Sequence, residues 1–258
     1  MLKIIERFKE HKFLFTELVK RDFKKKYKST YLGMLWSVLS PLLTLLIMSL
    51  VFTNFFGRSQ PHYIIYLFSG NILFSYFNES TSNGMGSLLA NAGIFTKINV
   101  PKYLFLFSKN VSSLINFGLT LGVFFIFCII DGVTFTWAFF MLVIPILCMV
   151  VFNLGVGLIL SALFVFFRDM QYLWSVFTML LMYLSAIFYT TDSFSPTVQK
   201  LFYLNPVFVY IKYFRFIVID GVIPSIWVNL LAVGYALVAF GIGALIYKKF
   251  NHKFLYYV

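Results

Sequence analysis

Arg21, Lys24, Lys25 and Lys28 stand together in RDFKKKYKSTYLGMLWSVLSP, residues 21–41, directly before an uncharged apolar run that continues to residue 56. Cationic side chains at this spacing offer charge-assisted hydrogen bonds to anionic groups, and beside an apolar run they meet lipid headgroups and hold their side of the membrane in the cytoplasm. Ten of the 21 Lys and Arg residues precede residue 36 and most others lie at the ends of apolar windows, so the net charge of +12 points to a membrane and not to nucleic acid. No catalytic constellation accompanies the collar. His11, His62 and His252 fall in three separate segments, and Cys128 and Cys148 lie inside apolar windows without ligand spacing, so no metal site is expected. A GxxxxGK[ST] phosphate cradle is missing from the sequence, so any ATP that drives this chain must be bound by a second protein. Glu79 and Lys109 are the main ionisable residues within apolar windows. Intramembrane charge is a functional hypothesis by default, and snorkelling to the cytoplasmic interface is the equal alternative.

The elements that position these residues follow from the apolar windows. Hydrophobic residues make up 60% of the chain and charged residues 12%, and the mean hydropathy is +0.87, values of a polytopic membrane protein. About 20 apolar residues cross the ~30 Å hydrocarbon core as a helix, in which every backbone polar group is satisfied internally. Six windows meet that description, at 36–56, 63–82, 103–130, 137–167, 171–190 and 226–247. An even number places both termini on one side, and the basic residues choose the cytoplasm, leaving only Arg58, Lys200, Lys212 and Arg215 outside. The first window starts well inside the chain, behind charge and without a small-residue cleavage site, so it is expected to be retained. The fold class expected is an all-α membrane protein, one transmembrane domain over residues 1–258.

Between and before the spans lie three segments of different character. In the cytoplasmic segment 1–35, Phe15, Val19, Phe23 and Tyr27 recur every fourth residue while charges occupy the other faces, the pattern of an amphipathic helix in the membrane interface, and Trp36 marks the turn into the bilayer. A plain orientation signal without a separate helix is the alternative. Residues 84–102, GMGSLLANAGIFTKINVPK, are too interrupted by Gly, Asn and Lys to cross, and predict a short cytoplasmic helix. Its apolar cluster, Leu88, Leu89, Ile94 and Phe95, argues that this helix docks on something. The outer segment 191–225 is rich in Tyr and Phe and broken by Pro196 and Pro206, which predicts two short helices dipping back into the outer leaflet. An amphipathic external hairpin lying on lipid would show the same pattern. Within the spans, Gly118 with Gly122, and Gly155, Gly157, Gly241 and Gly243, mark candidate close approaches, and Pro145 predicts a kink in the fourth window. Some of the 34 Phe and 16 Tyr could offer ring faces to sugars.

Taken with their motifs, these residues resemble the membrane subunits of type-2 ABC exporters of cell-surface polysaccharides such as O-antigen, capsule and teichoic acids. The resemblance rests on Arg21, Asp22, Lys24, Tyr27, Leu32, Gly33, Trp36 and Pro41, then on Gly70, Asn71, Ile72 and Leu73 followed by Asn91, Ile94, Phe95, Lys97, Val100 and Pro101. A third block is Phe167, Arg168 and Asp169, then Ile187, Phe188 and Tyr189, and Asn205, Pro206 and Arg215. It implies two copies of this subunit around a pathway, two ATPase subunits beneath them carrying ATP and Mg, and a lipid-linked polysaccharide as cargo. By the same resemblance, Leu88, Leu89, Asn91, Ile94, Phe95 and Lys97 form the coupling helix that meets the ATPase. The collar of Arg21, Asp22, Lys24, Lys25, Tyr27, Lys28 and Trp36 belongs to the interfacial helix and would meet the carrier's head group, and Tyr203, Asn205, Pro206, Tyr210, Tyr213 and Arg215 would help gate the exit. An ATP-independent carrier or channel, or a membrane glycosyltransferase or scaffold, is the rival reading.

Overall fold

A computed structural model of the protein describes residues 11–28, 30–56, 62–251, 253–255 and 257. Residues 1–10, Arg58 and His252 lie outside them, as does the side chain of Tyr27. The described chain is helical throughout. In order it forms α1 (Lys12–Tyr27), α2 (Trp36–Phe56), α3 (Tyr63–Met85), two single turns α4 (Ser87–Ala90) and α5 (Ala92–Phe95), α6 (Tyr103–Ile130), α7 (Val143–Phe166), α8 (Met170–Leu184), α9 (Pro196–Phe202), α10 (Pro206–Val218) and α11 (Ile226–Phe250). Short 3₁₀ turns precede α2 and α7, at Gly33–Leu35 and Trp137–Leu142.

Among the described residues four helical stretches are long and apolar enough to cross a bilayer: residues 33–53, Tyr103–Ile130, 137–166 and Ile226–Phe250. The pair α9 and α10 qualifies only as one element, bent by 104° at the break between Phe202 and Pro206. Two of the expected windows differ. The 63–82 window is a 23-residue helix, α3, whose Asn, Ser, Thr and Glu residues lower its hydropathy. Most of α3 is buried between α2, α6, α7 and α10, and a helix wrapped by protein has no need of a lipid-soluble surface. The 171–190 window stops being helix at Leu184, because Ala186 takes a positive φ of 48° and turns the chain away.

The main core lies where α3, α6, α7, α10 and α11 converge, with Phe68, Phe77, Phe124, Phe214 and Ile65 fully buried. A smaller core at the end of the bundle that carries α1 gathers Leu18, Leu88, Phe95, Phe105, Leu158, Val165, Tyr247 and Phe254. Helix α1 thus packs its Leu14 and Leu18 toward that core, with Leu18 and Asp22 buried, while Phe15, Val19 and Phe23 flank this face half-buried. Pro145 lies in the first turn of α7, following a 3₁₀ turn, where its missing N–H would have no helical partner anyway. The mid-helix kink expected there is replaced by that junction.

Candidate functional site

At the end of the bundle that carries α1, Arg21 and Asp22 tie three elements together. The buried Oδ1 of Asp22 accepts from Arg21 Nη2 at 2.9 Å and lies 3.1 Å from Lys109 Nζ of α6. The same Arg21 Nη2 donates to Asn91 Oδ1 at 2.7 Å, and Asn91 Nδ2 donates to the Ser87 carbonyl at 2.7 Å, so the break between α4 and α5 is held against α1. One turn further along α1, Lys26 Nζ donates at 2.8 Å to Glu79 Oε2 of α3, which also accepts from Asn116 Nδ2 of α6 at 3.0 Å. Both ionisable residues seen within the apolar windows therefore meet partners on α1. Replacing Asp22 by Asn leaves Lys109 without its anion, and this is expected to weaken the attachment of α1 by on the order of 1–3 kcal/mol. Faster limited proteolysis within α1 of the solubilised protein would report it, whereas unchanged cleavage would mean that Leu14 and Leu18 hold the helix alone. Lys24, Lys25 and Lys28 are exposed and point away from this network.

The segment 84–102 divides into two faces. Leu88, Asn91 and Phe95 are buried against the chain's own smaller core, Leu89 and Ile94 are half-buried, and Thr96, Lys97, Ile98 and Asn99 are exposed. The apolar cluster that argued for a docked surface is therefore largely accounted for within the subunit, which corrects the reason given for it. Phe95 and Phe254 also sandwich the ammonium of Lys102, with ring centroids 5.7 and 5.6 Å from Nζ, and Lys102 donates to the Asn251 carbonyl. Burial pushes the pKa of this ammonium below the usual lysine value.

Between α2, α3 and α6, next to the Lys26–Glu79 pair, opens a cleft of about 430 Å³. Three stripes line it: Ser37, Ser40, Pro41 and Thr44 from α2, Asn71, Ile72, Ser75, Tyr76 and Glu79 from α3, and Ser113, Asn116, Phe117 and Thr120 from α6. Lys26, Thr30 and Trp36 close the end nearest α1. Each stripe repeats at three and four residues, the spacing that puts side chains on one helix face. Apart from Trp36, Pro41, Asn71, Ile72 and Glu79, sequence reasoning left these residues unremarked. The available signal was a hydroxyl or amide recurring at helical spacing inside otherwise apolar windows. Pro41 takes away the N–H that would meet the Ser37 carbonyl, and Thr120 Oγ1 approaches that oxygen at 3.5 Å. Tyr76 stacks on Phe117 with centroids 4.8 Å apart and donates to Asn110 Oδ1 at 3.3 Å.

At the opposite end, the non-helical stretch 185–189 carries carbonyls that side chains capture one by one. Arg215 Nη1 donates to Ala186 O at 2.9 Å, and Nη2 to Tyr66 O at 2.9 Å and Ile187 O at 3.2 Å. Tyr63 Oη donates to Phe188 O at 2.7 Å and Tyr66 Oη to Tyr189 O at 2.7 Å. Asn205 caps α10 by accepting from Val207 N at 3.0 Å, and its Nδ2 donates to Ser185 Oγ at 3.0 Å, while Pro206 begins the helix. Tyr203 presents its carbonyl to Tyr235 Oη at 2.9 Å. Tyr210 and Tyr213 are fully buried, donating to Ala232 O at 2.8 Å and Asn229 Oδ1 at 2.7 Å. Tyr210, Tyr213 and Arg215 therefore face the interior of the subunit in this conformation and hold α10 to α3, to the stretch 185–189 and to α11.

The family model for the ABC-2 type transporter matches residues 14–219. An O-antigen export system permease protein, RfbA, from Klebsiella pneumoniae is 29% identical over 246 residues, covering 93% of both chains. The polysialic acid transport protein KpsM of Escherichia coli is 24% identical, over 93% of this chain and 95% of its own. The capsule polysaccharide export inner-membrane protein CtrC of Neisseria meningitidis is 22% identical, over 73% of this chain and 72% of its own.

Proposed function

Because this chain belongs to the ABC-2 type transporter family, whose membrane subunits carry no nucleotide-binding domain and work with ATPase subunits, we propose that it is the permease of an exporter moving a lipid-linked polysaccharide, of the O-antigen or capsule kind, across the cytoplasmic membrane. The observation that carries this reading is the end-to-end similarity to an O-antigen permease, which includes both the collar and the coupling segment. Two copies would enclose the pathway and two ATPases, holding ATP and Mg, would bind beneath them.

Six crossings are proposed, with α3 and α8 added to the four long apolar stretches. Helix α3, at 23 residues, spans about 35 Å at 1.5 Å per residue, and its polar residues turn inward. Helix α8 reaches only about 22 Å, and the segment 185–189 completes the depth with its carbonyls satisfied by side chains. The pair α9 and α10 is then a re-entrant hairpin, and both termini lie in the cytoplasm with the basic collar. Tyr203, Asn205, Pro206, Tyr210, Tyr213 and Arg215 would contribute to the exit gate by fixing the hairpin's angle. The exposed cations Lys24, Lys25 and Lys28 are free to meet the anionic head of the lipid carrier.

Leu88, Asn91 and Phe95 would carry force from the ATPase into the bundle, and the contact with it would come from the exposed side, Lys97 and Ile98 above all. Combining Lys97→Glu with Ile98→Asp is expected to reduce the ATPase recovered with purified permease several-fold, with the permease at its normal level in the membrane. The activity is tested in proteoliposomes holding both proteins and a lipid-linked glycan made by the same cells. ATP-dependent appearance of glycan on the far side is the expected result, and movement without any ATPase would reject the proposal.

A further inference from the structure

We propose that the cleft between α2, α3 and α6 is a saccharide subsite, which holds a sugar unit of the exported glycan as it enters from the cytoplasmic side. The inference rests on the export reading above and adds a place and a chemistry to it. Its volume of about 430 Å³ falls in the range of small-ligand sites, ~300–1,000 Å³. Its walls match a polyol. Ser40 and Ser75 are exposed into the opening, Asn71 and Asn116 add amides, and Glu79 adds a carboxylate that sugar hydroxyls can donate to. The Tyr76 ring, buried and stacked on Phe117, forms the apolar floor of the same space.

Two other occupants fit less well. A lipid acyl chain would press hydrocarbon on these hydroxyls, amides and carboxylate, which lose their polar partners on such burial. A phosphate needs uncompensated positive charge, yet Lys26, the cation on this cleft, is 2.8 Å from Glu79. A neutral, hydroxyl-rich group satisfies the walls without either conflict.

The test places the photo-crosslinking residue p-benzoylphenylalanine at Ser40 or Ser75 of the full-length permease, in glycan-producing cells with the ATPase present. Leu46, on the face of α2 turned away from the cleft, is the comparison. Irradiation is expected to attach periodate-sensitive glycan to the Ser40 and Ser75 positions several-fold more than to Leu46, and the adduct should vanish in cells that lack the first glycosyltransferase of the glycan. Phospholipid adducts that persist in those cells, or the absence of any glycan adduct from a permease that still exports, would overturn the assignment. Loss of surface glycan on deleting the permease gene separates the two levels: if export survives the deletion, the export reading fails, and if export needs the gene while both serine positions stay unlabelled, only the subsite fails. As a second measurement, Asn71→Leu combined with Ser75→Val should lower export several-fold with ATPase recovery unchanged, and full export would count against the subsite.

Discussion

Arg215→Met is expected to cost on the order of 3–5 kcal/mol, because it strips donors from several buried acceptors at once. Arg215 is 4% exposed and lies over the Tyr66 ring at 3.4 Å, with its guanidinium shared among three backbone carbonyls and the Ser69 hydroxyl. No carboxylate pairs with it among the described residues. The charge is tolerated because it serves as a hydrogen-bond hub for a buried stretch of backbone that has left the helix, whose carbonyls need a donor once they are removed from water. Arg215→Lys should fare little better, since one ammonium cannot span acceptors that a planar fork reaches. The adjoining α3 leaves the room that the fork occupies: a Cβ at Gly70 would come within 2.6 Å of Nη2. A fall in the thermal midpoint of the detergent-solubilised permease is the readout. A midpoint within a degree or two of wild type would show that the segment 185–189 does not depend on this side chain.

Gly155→Val is expected to separate α7 from α11 and to cost on the order of 3 kcal/mol, the upper part of the usual overpacking range. A Cβ at Gly155 would overlap the peptide joining Ala239 to Phe240, and one at Gly243 would come within 2.6 Å of the Gly155 carbonyl oxygen. Both obstacles are backbone, which cannot rotate aside as a side chain can. Helices in lipid attract one another largely through close van der Waals packing, which small residues allow, so pushing this crossing apart removes many contacts at once. Gly118→Val is the control, because its Cβ would meet no heavy atom within 4 Å. The fraction of permease that stays monodisperse after mild detergent extraction should collapse for Gly155→Val and hold for Gly118→Val. Equal behaviour of the two variants would contradict the close-crossing argument.

These two sites differ in how far they were visible beforehand. The glycines of α7 and α11 could be named as candidate close approaches, but spacing could not separate Gly155 and Gly243, which meet backbone, from Gly118 and Gly122, which face open space. Arg215 could be placed among aromatics of a re-entrant segment, yet its acceptors lie on residues 66, 69, 186 and 187, far away in the chain. The segment 84–102 shows the same limit. Its apolar residues predicted a docked surface, and only the packing of Leu88 and Phe95 under Phe105 and Leu158 reveals that the surface is the subunit's own.

Composition and periodicity alone determined the solvent, the helical class and the order of the apolar windows, and predicted the side on which the basic collar belongs. Each follows from a one-dimensional property: the length of an apolar run against bilayer thickness, or the position of charge at its ends. What the tertiary structure decided is which polar residues face one another. Ser40, Ser75 and Asn116 come from three different helices, and Asp22 reaches Lys109 across the bundle. A helix fixes the angular position of its side chains but not the rotation of its axis against its neighbours, and that rotation is set by packing.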